Sequence, residues 1–263
     1  MKLGVCAEAN HARILADAGA DFIELGVSGA LAPLGDESAW AEMRSEFLAL
    51  PLPPETFNVF LPGTLRLTGE AGQLADHETV RQYVFTALRR AREIGGEVIV
   101  FGSGGARRVP DGFAKERAAE QIRDFLRVCA EASAETGVVI AIEPLNRGEC
   151  NIINTVAEAV TEYAAVLDHP GIRVLADTYH MERENEPVSV IAEYAPFIAH
   201  VHTADTGRVA PGQGEYDHVA LFRTLRAAGY AGRLSVEATF KDLPGEIGVS
   251  IRHLRAAERT AAS

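Results

Sequence analysis

The sequence predicts an α/β fold, a single (β/α)8 TIM barrel over residues 1–263, on three observations. Short apolar runs alternate with amphipathic helical segments from one end of the chain to the other. The runs number eight, and eight strand–helix units in roughly 250 residues are the size of a closed barrel of this kind. Val138-Val139-Ile140-Ala141-Ile142 is apolar throughout and rich in β-branched side chains. It reads as a strand buried on both faces, the habit of parallel sheets. An open, doubly wound sheet is the competing architecture, and eight regular units favour closure over it.

The expected strands, in order, are 3–6, 22–25, 56–59, 98–101, 138–142, 172–176, 198–202 and 234–236. Helical pattern is clearest over 77–94, where Val80, Tyr83, Val84, Ala87, Leu88, Ala91 and Ile94 form one stripe closed by Gly95-Gly96. A second helix is expected over 113–136, stopping at Gly137. Thr155 with Glu158 three positions on starts a third by a capping box, and it ends before His169-Pro170-Gly171. Shorter helices fit 12–18, 37–48, 188–194, 219–228 and 246–257. The longest connection without regular pattern, 61–76, follows strand three and is expected over the active face as a lid.

A formal net charge of −12, with no basic cluster beyond Arg89-Arg90 and Arg107-Arg108, argues against nucleic acid and anionic membrane surfaces as partners. Three cysteines, Cys6, Cys129 and Cys150, have no metal-type spacing and read as free thiols in a reducing, cytoplasmic compartment. There is no signal-peptide layout and no apolar run near the ~20 residues that span a bilayer. The glycines of Gly102-Ser103-Gly104-Gly105 lack the dinucleotide-binding spacing, and no P-loop signature occurs.

A barrel places its chemistry at the C-terminal ends of its strands. At the last four, those positions are Glu143, Asp177, His202 and Glu237, spaced 34, 25 and 35 residues apart, each close to one strand–helix unit. Pro144 stops the fifth strand at Glu143, and a charge at the end of a dry strand is costly unless paired. Each residue has a plainer reading: Glu143 as partner of Arg147, Asp177 as a helix N-cap, Glu237 as another strand-end charge. Four ligand types on four successive strands make a metal site the better reading. Three carboxylates and one imidazole suit one divalent ion, Mn2+ first, with Mg2+, Co2+ or Zn2+ as alternatives. In His200-Val201-His202 one imidazole is expected to face the barrel and the other the helices. His202 is chosen for its place at the strand end, with His200 as a packing residue and the alternative ligand. Two glutamates flanking an ion that holds a hydroxyketone can remove a proton from one face of a carbon and return one to the other.

Four stretches carry a resemblance. Ile142-Glu143-Pro144-Leu145-Asn146-Arg147-Gly148-Glu149, Asp177-Thr178-Tyr179-His180-Met181, His200-Val201-His202-Thr203 and Pro211-Gly212-Gln213-Gly214 resemble the D-tagatose/D-psicose (allulose) 3-epimerase family. That family lies among the xylose-isomerase-like sugar isomerase and epimerase TIM barrels. The resemblance implies a metal-dependent isomerase, a ketose 3-epimerase that inverts C3 of a free keto-sugar through a metal-stabilised enediolate. It makes Glu143, Asp177, His202 and Glu237 the metal ligands and Glu143 with Glu237 the acid–base pair. It adds Glu149, His180 and Arg208 as groups that hold the sugar, and it implies a dimer or tetramer. Cys6, Glu8, Glu24 and Asn58 sit at strand ends and match no motif of that family.

Aldose–ketose, or hydroxypyruvate-type, isomerisation with the same residues is the alternative within this chemistry. An endonuclease IV-like nuclease needs histidines at the ends of strands three and four, where Asn58-Val59-Phe60 and Gly102-Ser103-Gly104 stand instead. A non-catalytic sugar-binding barrel has no use for both glutamates.

Overall fold

In the computed structural model, which describes residues 1–263, eight parallel strands pair in sequence order and the eighth returns to the first. They are β1 (Lys2–Cys6), β2 (Phe22–Gly26), β3 (Pro54–Asn58), β4 (Val98–Phe101), β5 (Val139–Ile142), β6 (Ile172–Asp177), β7 (Ile198–Thr203) and β8 (Arg233–Val236). The barrel is closed, as the eight-fold alternation predicts. Between the strands run α1 (Ala12–Asp17), α2 (Val27–Ala30), α3 (Glu37–Leu48), α4 (His77–Glu93), α5 (Gly104–Arg107) and α6 (Lys115–Thr136). After β5 come α7 (Val156–Ala159) and α8 (Ala165–Leu167), joined by a π-helical turn, Val160–Ala164. The circuit ends with α9 (Thr178–Glu184), α10 (Val190–Glu193), α11 (His218–Ala227) and α12 (Leu243–Thr260).

The departures from the expected elements have local causes. The third strand begins at Pro54 and releases at Asn58, because Val59 turns to φ 49° and leaves the ladder. Proline is tolerated as the first residue of a strand, so Pro54 opens β3. The last helix is longer than its apolar stripe, since Pro244 sits in the first turn, where the missing N–H costs nothing. The capping box is half made: Thr155 accepts from Glu158 N–H at 3.1 Å, but the Glu158 carboxylate reaches back to Ile153 and Asn154 N–H. The short helices α2 and α9 follow directly on β2 and β6, α5 begins two residues beyond β4, and all three are too brief to show periodicity. The 61–76 connection is anchored rather than free. Leu67 N–H bonds Ala106 O, Thr68 Oγ1 bonds Arg108 O, and Gln121 on α6 holds both polar groups of the Gly69 backbone.

Alternation along the strands sorts side chains between two cores. Ile99, Phe101, Ile140, Ile142, Val174 and Ala176 join the apolar layer under the helices, while Val98, Val100, Ala141 and Leu175 form a separate cluster. At the floor, the Phe22 ring lies so close over Gly4 that a Cβ there would meet it at 2.3 Å. Above it the lumen turns polar, and the polar layers hold the chemistry. All three cysteines are free, and no helix is long and apolar enough to cross a membrane.

Candidate active site

Register brings the strand ends together. Asp177 on β6 pairs with His202 on β7, and His202 with Ser235 on β8, two residues before Glu237. Glu143 follows β5 directly, its N–H bonded to Phe101 O at 3.1 Å. One ligand atom from each of Glu143, Asp177, His202 and Glu237 lies within 4.8 Å of the others. His202 Nδ1 is 3.5 Å from Glu143 Oε1, 3.5 Å from Glu237 Oε2 and 4.0 Å from Asp177 Oδ2. Of these atoms, Glu143 Oε1, Asp177 Oδ2 and His202 Nδ1 are buried without a hydrogen-bond partner. Buried polar atoms are ordinarily paired, so three unpaired ones facing one point describe a site shaped for a cation.

The plainer readings resolve one by one. Arg147 pairs with Glu184, leaving Glu143 free of it. Asp177 does cap α9, but with one oxygen: Oδ1 accepts from Tyr179 N–H at 2.7 Å while Oδ2 faces the cluster. Burial, with Glu237 and Glu143 beside it, pushes the Asp177 carboxyl above the usual carboxylate range.

The two histidines correct the expectation that they face opposite ways. Residues i and i+2 of a strand point to the same face, and both imidazoles enter the lumen, ring centroids 5.0 Å apart. They differ in height. His200 lies one layer down, its Nε2 within 3.2 Å of Ser235 Oγ, and only His202 presents a ring nitrogen to the carboxylate cluster.

Glu24 links them. This carboxylate, fully buried on β2, receives Thr56 Oγ1–H at 2.7 Å, Ser235 Oγ–H at 2.6 Å, and Nε2–H of both His200 and His202 at 2.8 Å. Burial raises its carboxyl, but His202 and His200 overcome that and hold it well below the ordinary value. An ionised carboxylate only accepts, so the proton of His202 sits on Nε2 and the Nδ1 lone pair is turned to the cluster. Sequence reasoning had placed Glu24 at a strand end without a role. Its one signal is a carboxylate inside the apolar run Phe22-Ile23-Glu24-Leu25.

Two further supports escaped the sequence reading. Glu143 lies over Gly102, where an added Cβ would fall 2.2 Å from its Oε2. Arg107, buried in the shell, donates to Phe101 O at 2.9 Å and Glu143 O at 2.7 Å, clipping the ends of β4 and β5 together.

The groups expected to hold a sugar surround the same point. His180 is buried, with Asn146 N–H donating to its Nδ1 at 3.2 Å and its Nε2 3.9 Å from Asp177 Oδ2. Arg208 bonds Glu237 Oε2 at 2.7 Å and Glu149 Oε1 at 3.4 Å, with its guanidinium 4.8 Å from the centre of the Tyr179 ring. It stands at φ 65° in a loop wound around Asp205, whose carboxylate takes N–H from Thr206, Gly212 and Tyr216. Gly212 has φ 92°, and a Cβ on Gly214 would meet Asp205 Oδ1 at 2.5 Å, which is why Pro211-Gly212-Gln213-Gly214 needs its glycines. Cys6, Glu8 and Asn58 line a cleft beside the cluster, over β1 to β3.

The family model described as xylose isomerase-like TIM barrel matches residues 12–257. Among known proteins, the chain is 36% identical over 123 residues to 3-dehydro-D-guloside 4-epimerase of Escherichia coli strain K12, covering 46% of this chain and 47% of that one. It is 33% identical over 138 residues to D-psicose 3-epimerase of Ruminiclostridium cellulolyticum, covering 52% and 45%. The matches thus span about half the length of the curated relatives. The structure of 3-keto-D-glucoside 4-epimerase from E. coli superposes with a TM-score of 0.84 at 24% identity, over 97% of this chain and 99% of that one. D-psicose 3-epimerase from Clostridium cellulolyticum H10 gives 0.80 at 20%, over 100% and 98%. At such identities the structural likeness speaks for the fold.

Proposed function

This chain belongs to the xylose isomerase-like TIM barrel family, and we propose that it is a metal-dependent ketose 3-epimerase. The observation that carries the reading is the placement of Glu143 and Glu237. They come from β5 and β8, the outer two of four consecutive strands, and flank a His202 nitrogen 3.5 Å from each. Sequence relatives named ketose, D-psicose and L-ribulose 3-epimerase support the reaction class.

Glu143, Asp177, His202 and Glu237 would hold one divalent ion, and the unpaired atoms on the first three fit that demand. Three oxygens and one imidazole make a hard donor set, which favours Mn2+, with Mg2+, Co2+ or Zn2+ able to substitute. When bound, the ion polarises the ketone and the neighbouring hydroxyl. One glutamate takes the proton from the hydroxyl-bearing carbon, and the electron pair of that C–H bond moves into the enediolate. The other glutamate returns a proton to the opposite face, and the centre inverts. Arg208 and Glu149 bind hydroxyls on one side of the sugar. His180 donates from Nε2, since its Nδ1 is occupied as an acceptor. Glu24 keeps the proton of His202 away from the ion. The protein is expected to act as a homo-oligomer.

Inversion at C4 of a 3-keto-glycoside is the second reading. It sets the same ketone–carbinol pair before the same glutamates, and the E. coli guloside 4-epimerase favours it. Calorimetric titration tests the site common to both. Dialysed protein should bind one Mn2+ per chain with activity returning in proportion, and Asp177→Ala should bind none. Full epimerisation by metal-free protein would refute the proposal.

A further inference from the structure

A second group of ligand-type side chains shares no residue with the charged cluster. Asp205, His218 and His253 each bring one such atom within 4.8 Å of the others. Asp205 follows β7 and is the hub of the Arg208 loop, His218 opens α11, and His253 lies on α12. His218 Nδ1 and His253 Nε2 face each other at 3.2 Å. Asp205 and His218 are buried, while His253 is half-buried and gives the group a side toward solvent.

The plain reading is a hydrogen bond between two helices, and it accounts for the group poorly. A neutral imidazole has one donor nitrogen and one acceptor. Whichever way the bond runs, His218 keeps Nε2, which is buried with no hydrogen-bond partner. A bond between neutral rings scarcely repays a stranded nitrogen, whereas two bonds to an ion do. Asp205 is also incomplete. Its carboxylate accepts backbone N–H from Thr206, Gly212 and Tyr216, which favours the charged form, and no lysine or arginine pairs with it. A buried charge ordinarily has a counter-charge.

The chain makes room for this meeting. A Cβ on Gly212 would fall 3.2 Å from His253 Cγ, and the same glycine gives its N–H to Asp205 Oδ2 at 2.8 Å. One residue thus seats the imidazole and the carboxylate side by side. Two nitrogens bound at about 2.0–2.1 Å to one tetrahedral ion stand about 3.3 Å apart, and the 3.2 Å of this pair matches that span. Two imidazoles and one carboxylate are a softer donor set than the first cluster and suit Zn2+ rather than Mn2+.

We infer that Asp205, His218 and His253 form a second metal site, for an ion of the Zn2+ kind, that pins the Arg208 loop to α11 and α12. His218 Nδ1, His253 Nε2 and an Asp205 oxygen hold the ion, and water completes it. Asp205 O accepts from Arg208 N–H at 2.9 Å, so the ion fixes the base of the loop from which Arg208 reaches Glu149 and Glu237. The site stands apart from the epimerase reading, and only its effect on sugar binding through Arg208 rests on that reading.

The test is a calorimetric titration of Asp177→Ala with Zn2+, since that variant lacks a ligand of the first cluster. It should bind one Zn2+ per chain. His253→Ala in the same background should weaken binding by more than about 100-fold, because losing even a group behind a ligand costs about 10- to 100-fold. His218→Gln supplies the same readout should the His253→Ala protein not fold. With Zn2+ at about ten times its Kd, hydrogen exchange of the Gly212 and Tyr216 amides should slow about tenfold in Asp177→Ala and not in the double variant. Zn2+ bound as tightly without His253, or bound without protecting those amides, would overturn the inference. Neither readout uses a sugar, so such a result leaves the epimerase reading intact. A protein that holds Zn2+ in this way but epimerises no keto-sugar would refute that reading alone.

Discussion

Strands β5 to β8 lead into Glu143, Asp177, His202 and Glu237, while β1 to β4 lead into Cys6, Gly26, Asn58 and Gly102. On the charged side three of the four groups are held from behind: Asp177 by the α9 amides, His202 by Glu24, Glu143 by Gly102 beneath it and Arg107 behind it. On the open side the side chains are small and the walls stand apart around ≈ 540 Å3. Proton transfer at one carbon demands fixed groups, because about 1 Å of misplacement can cost about a hundredfold in rate. Room for the rest of a substrate demands only that bulk be absent. The same barrel meets one demand by adding support and the other by removing side chains.

Gly102 stands where the two halves meet and offers the sharpest way to break the contrast. It ends the open half in sequence, yet its missing Cβ is what seats Glu143. Gly102→Ala should lower kcat by about a hundredfold while the protein stays folded. Activity within twofold of wild type would show that Glu143 is not held by this contact. A smaller effect belongs to Glu24, which lies on an open-half strand and serves the charged half. Glu24→Gln should weaken Mn2+ binding by about 10- to 100-fold, the usual cost of losing a carboxylate behind a ligating histidine. Unchanged affinity in a calorimetric titration would detach Glu24 from the site.

The gentlest probe is His218, which with His253 stands within 4.8 Å of Asp205, the hub of the Arg208 loop. His218 lies within 3.2 Å of His253, and burial, with His253 beside it, lowers its pKa to about 4. The folded pKa lies below the unfolded value of about 6.5, so between these limits the unfolded chain takes up a proton that the folded one does not. Stability therefore falls as pH drops through that window, by about 3 kcal/mol from this residue at its lower end. In metal-free His218→Gln, urea unfolding at pH 7 and pH 4.5 should show a correspondingly smaller loss. An unchanged loss would mean that His218 titrates normally.

The charged half was legible in the sequence because a carboxylate or imidazole at the end of a dry strand stands out, and its spacing repeats the barrel unit. Glu149, His180 and Arg208 were named by resemblance, and the structure brings them around the same point. The His200–His202 expectation failed on a point of period: two residues apart on a strand means one face, and height rather than side separates them. Glu24 was visible as an oddity but not as an anchor, since Thr56, His200, His202 and Ser235 come from three other strands. The open half offered Cys6, Glu8 and Asn58 at strand ends but no motif to give them a role. A cysteine, a glycine and an asparagine at the ends of three separate strands reveal a cleft only when the walls around them are built. The fold was read more fully than the site, because eight alternations survive errors of a residue or two, as at β3, while a cluster does not.

Solvent exchange bears most directly on the central claim, that Glu143 and Glu237 work on opposite faces of one carbon. Metal-loaded protein turning over a ketose in D2O should place one deuterium at C3 of the product and none at C1. Glu143→Gln and Glu237→Gln, each checked for bound Mn2+, should lose inversion. Each should still exchange the C3 proton of one epimer, and a different epimer in each variant. Deuterium at C1, or both variants exchanging the same epimer, would contradict it.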